Sequence, residues 1–173
     1  MRLINLYFLL VFVSSCTTVK YFVVRHAEKA IPSEGVVMNT PNDPPLSPVG
    51  KVRAIELGEA LKAEQIMFIF STNTVRTIST AKPLSALRGD MKIKLYNTRD
   101  SLDFFIQKLK AIKKGNSLIV GHSNTVDDIV NKLCGEIKVP KDLPDTEYDN
   151  LYLITKKGKK MKFENRNYGT PTN

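Results

Sequence analysis

The sequence predicts an α/β fold of three layers, α/β/α, around a mostly parallel central sheet. Three short apolar runs, Val19–Val24, Ile66–Phe70 and Leu118–Val120, have the length of buried strands. The predicted element order is β-α-β-α-β-α-β-α-β-β, and such alternation is typical of a parallel sheet with helices on both faces. With 173 residues and 42% hydrophobic content, the chain is long enough for one domain with a substantial core.

The first half of the chain alternates strand, loop, helix and strand. The loop from Ile31 to Leu46 follows the first strand and is rich in Pro, Asn, Asp and Gly, which predicts either a lid over a site or a plain surface excursion. Ser47 is a good N-cap and Pro48 suits the first helical position, so a helix begins here and runs to about Ala63. Its predicted apolar stripe consists of Ala54, Leu57, Leu61 and Ile55.

The second half continues the alternation. A helix over 75–87 is predicted to break or bend near Pro83. Residues 92–96 alternate and predict an edge strand, and Ser101 is expected to cap a helix that runs to about Lys113. The remaining predicted elements are a helix over 125–133 and a closing hairpin formed by 151–154 and 161–163.

The N-terminus has the pattern of a secretory signal. Arg2 supplies a cation, residues 3–13 are mostly apolar, and small residues lead into Cys16. The apolar run is short for a transmembrane helix, which needs about 20 residues. The end of the segment resembles a bacterial lipobox, which implies an exported, membrane-anchored protein lipidated on Cys16; an ordinary signal peptide or an uncleaved anchor is the alternative. The expected organisation is a lipoprotein-type signal at 1–15, a tether at 16–18, a folded domain at 19–166 and a tail at 167–173.

The net charge of +9 suits an anionic ligand, an anionic membrane surface or a nucleic acid. The absence of a basic run with interleaved aromatic residues disfavours nucleic acid. The lysine cluster at 156–160 is interpreted as a solvated hairpin turn. This interpretation would need revision mainly if the cluster lay close to a membrane. Cys134 is predicted to be a small buried hydrophobe, so no disulfide framework is expected.

Polar clusters follow all three buried strands. Arg25 and His26 end the first, residues 71–73 the second and residues 122–124 the third. Ligands of open α/β folds bind outside the carboxyl ends of the strands. Adjacent parallel strands would therefore bring both histidines of the chain, His26 and His122, to one rim.

Phosphate is the ligand that this rim suits best. Arg25 and Arg76, with backbone amides at helix starts, fit a dianion. A neutral imidazole is a competent nucleophile near pH 7, because its unperturbed pKa is about 6.5, so a histidine can accept a phosphoryl group in line. A second, protonated histidine can donate hydrogen bonds to the phosphate oxygens, an acid can protonate the leaving group, and water then hydrolyses the phosphohistidine.

Other chemistries fit less well. A zinc site needs three or four ligands, and two histidines without a C-x-x-C pair leave only carboxylates to complete it. Ser123 does not lie in a G-x-S-x-G elbow, because residue 125 is Thr. Neither Gly115 nor Gly121 begins a P-loop, since the G-K-[ST] ending is missing.

Four motifs resemble those of the histidine phosphatase superfamily, which has the phosphoglycerate mutase-like fold. They occur in the family's order and cover the chain from about residue 20 to residue 155. The matching stretches are Val24-Arg25-His26-Ala27-Glu28, similar to R-H-G-E; Leu46-Ser47-Pro48-Val49-Gly50, similar to L-T/S-x-x-G; Arg76, Thr80, Ala81 and Pro83, similar to R-x-x-x-T-A-x-P; and Gly121-His122-Ser123-Asn124, similar to G-H-S/G.

The resemblance implies roles for the rim residues. His26 would be the phosphorylated nucleophile, Arg25 and Arg76 the phosphate ligands, and His122 the second histidine of the pocket. No metal and no organic cofactor is implied. The chain departs from the pattern at Ala27, where glycine is usual, and we expect alanine to be tolerated there. Glu28 either orients neighbouring groups or is a solvated acid.

The proton donor is less defined. Asp100 is the acid nearest to the place where mutase-like members carry one, although an acid at a helix start is also favoured by the helix dipole. The leading hypothesis is a metal-independent, membrane-anchored phosphomonoester hydrolase acting on a small phosphorylated substrate. The alternatives are a non-catalytic phosphate-binding lipoprotein and, disfavoured by export and the short chain, a phosphomutase.

Overall fold

The computed structural model describes residues 17–31, 42–97 and 101–172. Its elements follow the predicted order without exception. They are β1 (Thr18–Arg25), α1 (Pro48–Leu61), β2 (Ile66–Ser71), α2 (Val75–Leu87), β3 (Ile93–Leu95), α3 (Leu102–Lys110), β4 (Asn116–Gly121), α4 (Val126–Cys134), β5 (Asn150–Lys157) and β6 (Lys160–Asn167).

One six-stranded sheet runs through the described chain in the order β3-β2-β4-β1-β5-β6. The pairs β1–β4, β2–β4 and β2–β3 are parallel, whereas β5 is antiparallel to both of its neighbours. The predicted mostly parallel sheet and the position of β3 at an edge are confirmed. Because β2, β4 and β1 are neighbours, their carboxyl ends meet at one edge, which we call the catalytic edge.

Helices cover both faces of the sheet, which confirms the three-layer prediction. On β1, Tyr21 and Val23 pack in the core formed with α3 and α4, whereas Phe22 and Val24 pack in the core formed with α1 and α2. All four side chains are at most 1% exposed. A strand buried on both faces needs apolar residues in succession, which is why β1 forms a continuous apolar run.

The start of α1 is packed directly against the chain that leaves β1. Ser47 Oγ accepts a hydrogen bond from Gly50 N at 3.0 Å, which confirms the predicted cap, and Ser47 N donates to the Glu28 carbonyl at 2.9 Å. A Cβ atom on Gly50 would lie 2.1 Å from that same carbonyl oxygen. The glycine of this motif is therefore required by close backbone approach, because any side chain would push α1 away from the catalytic edge.

Three local predictions differ from the structure. The predicted break at Pro83 does not occur: helix α2 continues through this residue, because Ala81 and Leu84 are buried against the sheet and α1 and hold the helix despite the missing hydrogen bond. Ser101 makes no side-chain cap; its hydroxyl donates to the Asn97 carbonyl, and α3 ends at Lys110. Ile55 is 57% exposed and lies outside the buried stripe of α1.

The residues after β6 also pack on α1. Tyr168 is buried beside Leu57 and Leu61, and the Thr170 carbonyl accepts a hydrogen bond from buried Arg53 at 2.8 Å. Within the described ranges, no helix combines the length and apolarity needed to cross a membrane.

Candidate active site

The four residues predicted for the phosphate site line one cavity of about 1050 Å³ at the catalytic edge. Arg25 ends β1 and His26 follows it, Arg76 lies in the first turn of α2, and His122 follows β4. The fold thus brings together residues almost 100 positions apart in sequence, and each is placed by the element that precedes it.

His26 is held by backbone contacts as the chain leaves β1. Its N–H donates to the Gly121 carbonyl at 2.9 Å, which extends the β1–β4 ladder by one residue. Ring Nδ1 lies 2.7 Å from the Ala27 carbonyl oxygen. Since a carbonyl oxygen only accepts, Nδ1 of the neutral ring carries the proton and Nε2 carries the lone pair. The hydrogen bond therefore selects the tautomer in which the Nε2 lone pair is free to react.

His122 has the opposite tautomer. Its Nδ1 lies 3.4 Å from Arg76 Nη2, which can only donate, so Nδ1 is the acceptor. Its Nε2 lies 2.9 Å from the Thr72 hydroxyl, which itself donates to the Thr77 hydroxyl at 3.0 Å. The Thr77 hydroxyl in turn donates to the Thr72 carbonyl. This chain of donors ends on a carbonyl and fixes the His122 ring.

The two imidazoles meet edge to face, with ring centroids 5.4 Å apart. Burial lowers the pKa of His26 to about 3; its hydrogen bond to Ala27 opposes this shift, and the charge of Arg25 adds to it. Burial and then the charge of Arg76 lower the pKa of His122 to about 4, while Asp43 opposes the change. Both rings are therefore neutral at pH 7 in the free protein, which leaves the His26 lone pair available.

Arg25 is buried, and the loop at 144–148 surrounds its guanidinium. Nη1 donates to the Pro144 carbonyl at 2.7 Å and to the Glu147 carbonyl at 3.1 Å. Nη2 lies 3.2 Å from Asp145 Oδ1, and the guanidinium carbon lies 4.1 Å from the centre of the Tyr148 ring. The Asp145 side chain is 89% exposed, so this carboxylate is the easily displaced member of the set.

Arg76 is held from the other side of the cavity. Its Nη1 donates to Asp43 Oδ1 at 3.0 Å, and the second carboxylate oxygen of Asp43 accepts from Val75 N at 2.8 Å. Asp43 therefore binds the amino end of α2, where the helix dipole favours an anion, and orients the arginine of the same helix. The described part of the predicted 31–46 loop thus supplies the ion-pair partner of an arginine that lines the cavity.

Thr80 connects the turn that carries His26 to α2. Its hydroxyl accepts a hydrogen bond from Ala27 N at 2.9 Å and donates to the Arg76 carbonyl at 2.8 Å. The side chain is fully buried. One hydroxyl therefore sets the distance between the segment that carries His26 and the helix that carries Arg76, which explains the threonine of the R-x-x-x-T-A-x-P pattern.

Glu28 lies outside the ring of cavity residues. Its Oε1 accepts from Arg53 Nε at 2.7 Å, and Arg53 is only 3% exposed. Of the two expectations for Glu28, orienting a neighbour is the one realised, and that neighbour is a structural arginine of α1. Cys134 is partly buried against the α3–α4 core, and burial raises the pKa of its thiol, as expected of a small hydrophobe.

Sequence reasoning missed three residues of the site: Asp43, Asp145 and Tyr148. Asp43 precedes two prolines in the loop after β1, but nothing in the sequence connects it with Arg76, 33 positions later. Asp145 and Tyr148 lie in a polar loop more than 115 residues after Arg25. Two residues with predicted roles, the proton donor Asp100 and the lipidation site Cys16, lie outside the described residues, so both roles stay predictions.

Across the described ranges, no three His, Cys, Asp or Glu side chains are grouped so that they could hold a metal ion. The Nε atoms of Arg25 and Arg76 are buried without a hydrogen-bond partner there. Buried guanidinium donors normally have partners, so each of these two cavity arginines retains one donor that the described structure leaves unsatisfied.

Comparison with known proteins agrees with the resemblance of the motifs. The family model of the histidine phosphatase superfamily (branch 1) matches residues 21–102, which include His26 and Arg76. A search of curated protein sequences gave no match.

Solved structures share the fold at low sequence identity. The mycobacterial glucosyl-3-phosphoglycerate phosphatase superposes with a TM-score of 0.61 at 11% identity, covering 90% of this chain and 100% of that one. Phosphoglycerate mutase from Bacillus anthracis str. Sterne gives 0.57 at 17% identity, covering 87% and 93%. Phosphoserine phosphatase from Entamoeba histolytica, in complex with 3-phosphoglyceric acid, gives 0.56 at 13% identity, covering 79% and 90%.

The fold matches that of phosphoglycerate mutase-like structures, and the similar solved structures include phosphatases and a mutase. Over residues 21–102 the chain is similar to the histidine phosphatase superfamily (branch 1).

Proposed function

We propose that this protein hydrolyses phosphate monoesters without a metal, through a phosphohistidine on Nε2 of His26. One observation carries the proposal: the Ala27 carbonyl fixes the proton on Nδ1, so a neutral, nucleophilic Nε2 lies in a cavity that also contains two arginines. A lowered pKa of about 3 keeps this ring unprotonated at any physiological pH.

In the first step the His26 lone pair attacks phosphorus in line, the N–P bond forms and the bond to the leaving oxygen breaks. Arg25 and Arg76 offset the charge on the transferred phosphoryl oxygens. To contact the phosphate, Arg25 exchanges its contact with exposed Asp145, while Asp43 keeps Arg76 in place. The leaving oxygen takes a proton from an acid, for which Asp100 is the predicted donor.

In the second step water attacks the phosphohistidine, the N–P bond breaks and inorganic phosphate leaves. His122 takes part through its charge. In the free protein the pKa of His122 is about 4, so the ring is neutral. A bound phosphate dianion raises this pKa because it stabilises the imidazolium. His122 therefore gains a proton as phosphate binds and donates a hydrogen bond to a phosphate oxygen. The ring becomes cationic when an anion is present to stabilise it.

The test is hydrolysis of an aryl phosphate in the presence of EDTA by the wild type and His26→Ala. We expect turnover by the wild type and a loss of at least about a thousandfold in kcat for the variant, as for removal of a catalytic nucleophile. Thermal unfolding of the variant shows that it is folded. If the wild type is as inactive as the variant, the phosphatase proposal is wrong and the alternative, a protein that binds phosphate without turnover, is favoured.

A mutase is the second enzymatic candidate, because a phosphoglycerate mutase is among the structural neighbours. The two activities differ in the fate of the phosphoryl group. Incubation with 3-phosphoglycerate and analysis of products by ³¹P NMR separates them, since a phosphatase releases inorganic phosphate and a mutase yields 2-phosphoglycerate.

We also propose that the protein is exported and anchored to a membrane by a lipid on Cys16. The cationic start, the apolar residues 3–13 and the small residues before the cysteine support this. In cells, Cys16→Ala is expected to leave the membrane fraction. If the variant remains there, lipidation does not anchor the protein.

A further inference from the structure

A group of exposed lysines lies at the end of the sheet opposite to the catalytic edge. The N-terminal residues of β1 pair with the last residues of β5, so Thr18 lies opposite Lys157, which in turn pairs with Lys160 of β6. The Thr17 hydroxyl donates to the Lys113 carbonyl at 2.9 Å. The sheet thereby gathers two separate lysine-rich segments around the N-terminus of β1. We call Lys113, Lys114, Lys157, Lys159 and Lys160 the basic face.

The five lysines of the basic face are exposed, and their charge is not locally neutralised. None of them has an ion-pair partner within the described ranges. The segments 108–114 and 156–160 contain no acidic residue. The neighbouring acid Glu64 is paired with Lys20 at 2.9 Å. A contiguous patch of solvated ammonium groups produces a strong positive potential, which fits an extended anionic surface.

Within the described structure, two other lysines at this end of the sheet, Lys156 and Lys110, make structural contacts, unlike those of the basic face. The Lys156 ammonium donates to the carbonyls of Lys110 and Ile112, at the carboxyl end of α3, and so stabilises the end of that helix. Lys110 similarly donates to the Lys132 carbonyl at 2.7 Å. These two lysines hold α3 and α4 at the hairpin, whereas the five of the basic face make no such contact within the described ranges.

The chain that precedes the basic face is apolar. Residues 1–16 join the described structure at Thr17, next to the basic face, so the lipid proposed on Cys16 would lie beside these lysines; in the signal segment before it, residues 3–13 are apolar apart from Asn5 and the hydroxyl of Tyr7. We propose that the basic face binds an anionic lipid surface. Lysines next to an apolar membrane-binding segment add electrostatic attraction worth about fivefold in partitioning per lysine.

This placement sets the direction in which the cavity opens. Thr18 and Arg25 are the two ends of β1, seven residues apart, so the catalytic edge lies roughly 23 Å from the basic face along the strand. With the basic face on lipid, the cavity opens away from the bilayer toward water-soluble substrates. The proposal concerns binding alone and does not rest on the proposed phosphatase activity.

The test uses the full chain with vesicles of phosphatidylglycerol and phosphatidylcholine, or of phosphatidylcholine alone. Accessible amines are acetylated by a water-soluble reagent and quantified by peptide mass spectrometry. We expect at least threefold protection of the basic face on the anionic vesicles only, with Lys51 and Lys141 labelled equally on both. Both control lysines are exposed and belong to segments at the catalytic edge. Equal labelling of the basic face on the two kinds of vesicle would overturn the proposal.

A matched pair of variants separates local charge from net charge. Replacement of Lys157, Lys159 and Lys160 by Gln removes three charges from the basic face, and replacement of Lys51, Lys82 and Lys141 by Gln removes three elsewhere. We expect partitioning onto anionic vesicles, at low ionic strength and limiting lipid, to fall about a hundredfold for the first variant and less than fivefold for the second. Equal losses, or protection of the basic face by an RNA oligonucleotide but not by vesicles, would overturn the proposal.

Discussion

The two ends of β1 are both cationic, but they use positive charge in different ways. At the catalytic edge, Arg25 and Arg76 are largely buried, and each is held by carbonyl or carboxylate oxygens from a separate loop. At the basic face, lysines project into water without such partners in the described structure. The planar guanidinium fork suits fixed recognition of one phosphate, whereas a flexible, hydrated ammonium suits an extended surface of no fixed geometry.

This difference implies that the catalytic edge is sensitive to geometry and the basic face to charge alone. At the catalytic edge, contacts from distant loops hold the two arginines in fixed positions. Burial of the two histidines there lowers their pKa values and keeps both rings neutral. Replacement of one side chain at the edge should therefore have a large effect even when the charge is conserved.

Among replacements that leave His26 in place, the largest effect is expected for Arg76→Lys. Lysine keeps the charge but cannot contact Asp43 and a phosphate together, so we expect kcat/KM for an aryl phosphate to fall about a hundredfold. The control is the same exchange at exposed Arg166 of β6, which should change kcat/KM less than twofold. Similar losses for the two variants would mean that geometry at the edge is not decisive.

Gly50→Ala should also damage the edge, without changing any charge. Its Cβ would lie 2.1 Å from the Glu28 carbonyl oxygen, so α1 must shift, and we expect a loss of about 2 kcal/mol in the free energy of unfolding. Gly58→Ala in the same helix meets its nearest atom, a Leu87 methyl group, at 3.3 Å and should be near neutral. Denaturant titration compares the two, and a tolerated Gly50→Ala would contradict the close contact.

Burial of His26 predicts a pH-dependent stability. The pKa of His26 is about 3 in the folded protein and about 6.5 when unfolded, so between these values the unfolded state binds the extra proton. The contribution of His26 to stability is fully present above pH 6.5 and is lost as pH falls toward 3, which raises the unfolding constant about tenfold per pH unit. His122, whose pKa is lowered to about 4, adds to the slope of the wild type. Denaturant titrations of wild type and His26→Asn between pH 4 and 7 measure this slope, which should be shallower in the variant. Identical slopes for the two proteins would contradict the prediction, because they would mean that His26 is exposed to water and its pKa is not lowered by folding.

Asp43→Asn should give the smallest effect. The amide oxygen can still accept from Val75 N, but the charge that orients Arg76 is lost, and so is the charge that opposes the lowering of the His122 pKa. We expect kcat/KM to fall about fivefold and the alkaline limb of its pH profile to move to lower pH, because the mechanism needs His122 protonated. A loss of activity with an unmoved profile would restrict Asp43 to a structural role.

Much of the catalytic edge could be predicted from the sequence, because local patterns encode it. Apolar runs ending in Arg25–His26 and in Gly121–His122 indicate buried strands with polar ends, and Ser47 with Pro48 indicates the start of α1. The strand order β3-β2-β4-β1-β5-β6 has no such local signal, since it depends on which apolar faces meet after folding.

What the sequence did not reveal are contacts between distant loops. The pairs Arg76–Asp43 and Arg25–Asp145 join polar residues from segments without periodicity, so no pattern indicates them. The persistence of α2 through Pro83 has a similar origin, because packing against α1 outweighs a local preference. From the sequence the lysine cluster at 156–160 indicates only a solvated turn, because its nearness to Thr18 and to Lys113 arises from strand pairing in the sheet.

The central claim is that His26 carries the phosphoryl group. The wild type is mixed with an aryl phosphate, quenched in alkaline detergent within the first turnovers, digested, and analysed by mass spectrometry. We expect phosphate on the peptide that contains His26, lost on mild acid treatment and missing from His26→Ala. Full turnover with no phosphate on His26, or with phosphate on His122 instead, would contradict the claim.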